Sequence, residues 1–117
     1  MNKVLLTGNL TRDIEARQTT NGKSVVSASI AVNREYKEVD GSYSVDFINF
    51  VAWGAQADYL AQYAKKGDRL EIVGRWQVRS YEKDGQKVRV DEVVAENVAV
   101  FTKQPKMPEI QESDLPF

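Results

Sequence analysis

Phe47 and Trp53 are the residues most able to do chemistry in this chain, and that chemistry is stacking. They lie in the stretch 46–54, DFINFVAWG. A strand projects successive side chains to opposite faces. Ile48, Phe50 and Ala52 therefore share one face, and Phe47, Asn49, Val51 and Trp53 share the other. Phe47 and Trp53 are six positions apart, roughly 20 Å at the usual strand rise. Two rings spread along one face suit a series of flat ligands, nucleic-acid bases above all. The alternative for the same pattern is a central strand buried on both sides.

The rest of the composition narrows the chemistry. The 117 residues contain no histidine and no cysteine. This removes the usual zinc ligands, the Ser-His-Asp and Cys-His nucleophile pairs, and the commonest general base. No disulfide framework exists. Seventeen carboxylates are present, yet none stands in a catalytic spacing, and no glycine run forms a GxGxxG or GxxxxGK[ST] cradle. The chain reads as a binder and not an enzyme, with no metal and no cofactor. The formal net charge is −1, whereas many nucleic-acid binders are strongly basic. A neutral domain still binds a polyanion when its cations line one groove. No run of about eighteen apolar residues is present for a membrane helix. The apolar stretch near Met1 is too short for a signal peptide, so a cytoplasmic location is expected.

The elements that must position the rings follow from the pattern. A first strand is expected over 2–10, with Val4, Leu6 and Gly8 on one face; Gly8 there marks a bulge or a close backbone approach. A polar segment, 11–20, leads to the turn dipeptide Asn21-Gly22. A second strand over 23–33 sets Val26, Ala28, Ile30 and Val32 on a core face, with small residues opposite. The charged stretch 34–45 reads as a long hairpin turning near Asp40-Gly41, flanked by Tyr36 and Tyr43, whose rings either meet a ligand or pack across the strands. After the third strand, 46–53, comes one helix over 55–66. It has an apolar stripe at Ala57, Leu60, Ala61 and Ala64, basic Lys65-Lys66 at its C-terminus, and Gly67 as its left-handed cap. A fourth strand over 68–78, a second charged hairpin over 79–89 turning at Asp84-Gly85, and a fifth strand over 88–100 complete the domain. Three strands, one helix and two strands is the order of the OB-fold, an all-β five-stranded barrel with its helix between strands three and four.

Several segments together resemble the bacterial single-stranded DNA-binding protein (SSB) family: NKVLLTGNLTRD, the NG turn, IAVNREY, DFINFVAWG, YAKKGDRLEIVGR and RSYEKDGQ. The resemblance runs in order over about residues 2–102. It implies a homotetrameric OB-fold that wraps single-stranded DNA without sequence preference and performs no catalysis. The family's stacking aromatics fall on Tyr36, Phe47, Trp53 and Tyr81, and its basic positions near phosphates on Arg17, Lys66 and Arg79. Arg34 joins these because it shares strand parity with Tyr36. A solvated surface charge is the alternative for each cation. Trp76 stands where the family usually has a smaller aliphatic residue, and is expected in the core or at a subunit interface.

The resemblance divides the chain into a domain, 1–102, and a tail, 103–117. Proline and alternating polar residues with no apolar period predict disorder for the tail. Its end, with Glu112, Asp114, Leu115, Pro116 and Phe117, resembles the family's acidic tip. Such a tip recruits replication and repair proteins, its carboxylates meeting a basic rim and its terminal ring an apolar pocket. The long Gly-, Gln- or Pro-rich linker of the family is almost absent. Fifteen residues reach at most about 50 Å, so partners are expected to dock close to the DNA. The competing function is an OB-fold adaptor of a primosome-like assembly, acting mainly through protein contacts.

Overall fold

The computed structural model describes residues 1–101, and the expectations for the tail lie outside them. Six strands and one helix occur: β1 Val4–Leu10, β2 Ala16–Gln18, β3 Ser24–Lys37, β4 Tyr43–Trp53, α1 Ala55–Tyr63, β5 Arg69–Lys83 and β6 Gln86–Phe101. The sheet runs β1-β5-β6-β4-β3, and pairing of β1 with β3 closes these five strands into a barrel. All the pairings are antiparallel except β4 with β6. This is the expected OB-fold, with α1 between its third and fourth barrel strands.

Alternation builds the core. Val26, Ala28 and Ile30 from β3 meet Phe50 and Ala52 from β4, and Leu70, Ile72, Val93 and Val98 close from β5 and β6. Ala57, Leu60 and Ala64 cover one end. Burying a side chain such as Phe50 or Leu60 contributes about 1.5–3 kcal/mol relative to leaving it in water.

Local expectations need four corrections. First, the strands run further than their expected bounds: the long hairpin read over 34–45 is present, with β3 and β4 pairing out to Lys37 opposite Tyr43 after a shift in register between Asn33 and Lys37. Likewise β5 and β6 pair from the barrel to Lys83 opposite Gln86. Charged residues tolerate strand conformation here because both faces of the projecting ribbons are in water. Second, the polar segment 11–20 contains β2, which pairs with β3 through the expected turn at Asn21-Gly22. Third, α1 ends at Tyr63 with Ala64 as its C-cap, so Lys65, Lys66 and Gly67 lie beyond it and Ala61 is exposed. Asp68 stops the helix: its carboxylate accepts from the Lys65 N–H at 2.9 Å, and the Gly67 N–H donates to the Leu10 carbonyl. Fourth, Trp76 is not in the core.

Candidate nucleic-acid interface

The outer face of β4 carries Phe47, 71% exposed, and Trp53, 44% exposed, with Val51 buried between them. Burial of both faces therefore holds only at Val51. Trp53 ends its strand because Gly54 follows at φ 61°, ψ −126°, a backbone that an L side chain rarely adopts. The chain turns at once into α1, and the Gly54 N–H ties back to the Ser24 carbonyl. The ring is thus held at the edge of a rigid turn.

Register brings a cation beside it. Trp53 lies opposite Val25 on β3, and Val25 lies opposite Arg17 on β2. The row Arg17–Val25–Trp53 spans two strand spacings, about 10 Å. A groove lined by Val25, Ser27, Val51, Trp53, Arg79 and Glu92 runs along one side of this row. On the other side a hollow is lined by Arg12, Asp13, Arg17, Val25 and Ser27 among others. The two share Val25 and Ser27, so Arg17, Trp53 and Arg79 face one continuous surface. Lys66 stands near its margin, its backbone N–H donating to Asp13 at 2.8 Å.

Tyr36 and Tyr81 lie on the two projecting ribbons, β3–β4 and β5–β6, and are 76% and 44% exposed. At the base of the second ribbon's turn, Asp84 and Gly85 have φ 52° and 79°, the paired left-handed geometry of a tight hairpin. Tyr43 is not idle: Lys37 lies 5.7 Å above its ring, a cation–π contact that stiffens the first ribbon.

Two of the four cations, Arg34 and Arg79, are held by carboxylates. Arg34 grips Asp46 with its Nε and Nη2 atoms, which holds the Asp46 carboxyl below the usual range and raises the Arg34 guanidinium further. Arg79 donates to Glu92 at 2.8 Å. Asp40, at the tip of the first ribbon, is held below its ordinary value by the Ser42 hydroxyl and N–H. Sequence reasoning missed these carboxylate partners; for Trp76 its exposure removes the core alternative alone. Strand register pairs Val32 with Asp46, which makes Arg34 a diagonal neighbour of Asp46 on the same face, a relation that residue spacing within one strand does not report.

The surface therefore combines exposed rings, a groove with apolar walls and the guanidinium groups of Arg17, Arg34 and Arg79, the last two held by carboxylates. Flat apolar faces with adjacent cations suit a strand of bases and phosphates.

Known proteins give the same direction. The model of the Single-strand binding protein family matches residues 1–101. A single-stranded DNA-binding protein of Streptococcus mutans is 48% identical over 102 residues, covering 86% of this chain and 62% of the relative. The chain thus spans somewhat less than two thirds of that relative's length. Single-stranded DNA-binding protein 3 of Streptococcus agalactiae serotype V is 41% identical over 114 residues, 97% of this chain and 83% of the relative. Single-stranded DNA-binding protein 1 of Streptococcus pyogenes serotype M18 is 41% identical, covering 100% of this chain and 99% of the relative. With its barrel, its exposed rings and a family match over the whole of the described fold, the chain belongs to the single-strand binding protein family.

Proposed function

We propose that this protein binds single-stranded DNA without sequence preference, protecting it during replication, recombination and repair. Bases stack on Tyr36, Phe47, Trp53 and Tyr81, and phosphates meet Arg17, Arg34, Lys66 and Arg79. Every base has a π-face, so stacking tolerates any sequence. The observation that carries this reading is the row Arg17–Val25–Trp53. It sets a ring and a guanidinium close enough for a base and a nearby phosphate of one strand to engage both.

The protein acts as a homotetramer in the cytoplasm, associated with the nucleoid. Its domain, 1–102, holds the DNA, and its tail, 103–117, recruits replication and repair enzymes through Glu112, Asp114, Leu115, Pro116 and Phe117. The family supports this division of labour. Among the described residues no helix is long and apolar enough to cross a membrane.

Binding of a labelled thymine oligonucleotide by the Phe47→Ala/Trp53→Ala protein tests the reading. Stacking is worth about 1–3 kcal/mol per base, so affinity falls by at least tenfold while the far-ultraviolet spectrum is kept. Undiminished affinity would sink the stacking assignment. Loss of salt dependence in the unmodified protein would sink the phosphate contacts. A protein that ignores the oligonucleotide but captures replication proteins is the adaptor instead.

A further inference from the structure

Residues 11–17 lead from β1 to β2 along the edge of β3, and both ends of this passage are tied to that strand. The Thr11 N–H donates to the Ser29 carbonyl at 3.1 Å, and the Thr11 and Ser29 hydroxyls lie 2.6 Å apart. At the other end, Ala16 and Arg17 pair with Val26 and Val25. Between these anchors, 12–15 belong to no strand, and the hollow lined by Arg12, Asp13, Glu15, Arg17, Val25 and Ser27 opens there. Asp13 braces the passage, its carboxylate accepting from the Lys66 N–H at 2.8 Å. Arg12 and Arg17 are both exposed. Among the described residues neither belongs to an ion pair, although Asp13 and Glu15 line the same hollow.

We propose that Arg12 and Arg17 together seat one backbone phosphate of the bound strand in this hollow, which makes Arg12 a further phosphate-binding residue. The proposal rests on the reading of the chain as a single-stranded DNA binder, and adds a position outside those that the family resemblance implies. Three features select a strand phosphate as the occupant. Arg34 and Arg79 grip carboxylates, whereas a phosphate arriving at Arg12 and Arg17 has no partner to displace. Each guanidinium presents a planar fork of donors that matches phosphate oxygens. The hollow shares Val25 and Ser27 with the Trp53 groove, and Trp53 lies opposite Val25, so a base on Trp53 and a phosphate at the two arginines lie on one path. Asp13 and Glu15 offset the positive charge of the pair, which disfavours a lone anion. A phosphate tethered to a base already stacked on Trp53 arrives at high effective concentration, and the seat then fills as part of a strand.

A labelled thymine oligonucleotide of about eight nucleotides fits within the roughly 4–16 that one OB-fold spans. Its binding is measured at several salt concentrations by the full chain and by Arg12→Gln, Arg17→Gln and the double variant. Each single variant is expected to bind several-fold more weakly with its salt slope nearly kept, because the remaining guanidinium still neutralises the shared phosphate. The double variant gives that phosphate up, and its slope of log affinity against log salt is expected to be shallower by about 0.7. Unfolding midpoints are expected to stay level, since both side chains are exposed and unpaired. Unchanged affinity in Arg12→Gln overturns the proposal and leaves the DNA-binding reading standing. A double-variant slope shallower by about 1.4, the value for two phosphates, overturns it too, giving each arginine a phosphate of its own. No binding of the oligonucleotide by the unmodified chain overturns both.

Discussion

Arg34 and Asp46 meet diagonally across the β3–β4 pair, with Nε 3.2 and 3.3 Å and Nη2 3.0 Å from the carboxylate oxygens. Both side chains are about half exposed, so the pair adds little to stability. Its effect is on the ligand. A phosphate that takes Arg34 must displace Asp46 or share the guanidinium with it, and Asp46 itself repels the phosphate. The neutral variant Asp46→Asn removes both obstacles. Binding of a thymine oligonucleotide is expected to tighten several-fold at low salt. The Arg34 contact itself is counted in Arg34→Ala, where loss of one phosphate contact is expected to make the slope of log affinity against log salt shallower by about 0.7. Titrations at four or five salt concentrations measure both; an unchanged slope would leave Arg34 outside the interface.

The same pair makes acid pH a probe. Arg34 holds the Asp46 carboxyl below its ordinary value, so the stability this pair contributes is present above the ordinary carboxylate range and is lost as pH falls through the depressed value. Binding has the opposite sign. When Arg34 turns to a phosphate, Asp46 loses the partner that lowered it and its pKa returns upward. Binding then takes up a proton, and affinity rises as pH falls through the carboxylate range. The rise attributable to this pair is expected to vanish in Asp46→Asn, which calorimetry in buffers of different ionisation enthalpy would register directly.

Arg79 differs from Arg34 in what it leaves behind. Its partner Glu92 has a side chain only 11% exposed and also accepts from the Gln77 side-chain amide at 3.3 Å. Arg79→Ala strands a nearly buried carboxylate, a loss of about 1–3 kcal/mol, and also removes the phosphate contact proposed for Arg79. Arg34→Ala exposes Asp46 to water at little cost. Urea unfolding beside DNA titration separates the two: Arg79→Ala is expected to lower both stability and affinity, Arg34→Ala affinity alone. Equal stability of the two variants would contradict the role given to burial of Glu92.

The architecture was open to reading because its causes are local. Alternation in 46–53 fixed which side of β4 faces the core, and Asn21-Gly22 and Asp84-Gly85 fixed two turns by backbone preference. What stayed hidden depends on register and shape. The Asp-Gly turns announced two charged hairpins, but nothing in the residues 34–37 or 79–83 says how their pairing joins the barrel strands without a break, because their faces are wet on both sides and carry no apolar period. Trp76 has the parity of Leu70 and Ile72, which are buried, and so reads as core. It is exposed because β4 and β6 part company at Phe50 and Val93, and no pattern within one strand reports where another strand leaves it. The ion pairs are hidden for the same reason: Arg79 and Glu92 are thirteen positions apart and meet only through the β5–β6 ladder.

Gly8 offers a test of the barrel itself, separate from binding. It lies on β1 with its backbone against β3 at the closing seam, where Asn9 and Leu10 pair with Ala31 and Ile30. A Cβ placed on Gly8 would stand 2.6 Å from the Ala31 carbonyl oxygen and 3.0 Å from Val32 Cγ2. The nearer atom is backbone within a paired strand and has no rotamer through which to yield. Gly8→Ala must therefore spread β1 from β3, which strains the pairing that closes the five strands into a ring. Overpacking of this kind costs about 1–3 kcal/mol. In a chain of this size, thermal unfolding is then expected to come several degrees lower, by about 4–8 °C for each kcal/mol. The Trp53 groove takes Val25 and Ser27 from β3, at least four residues from Ala31, and otherwise lies on β4 and the β5–β6 ribbon, so the affinity of the folded fraction for a thymine strand is expected to be largely kept. A Gly8→Ala protein as stable as its parent would show that β1 and β3 close the barrel less tightly than this geometry requires.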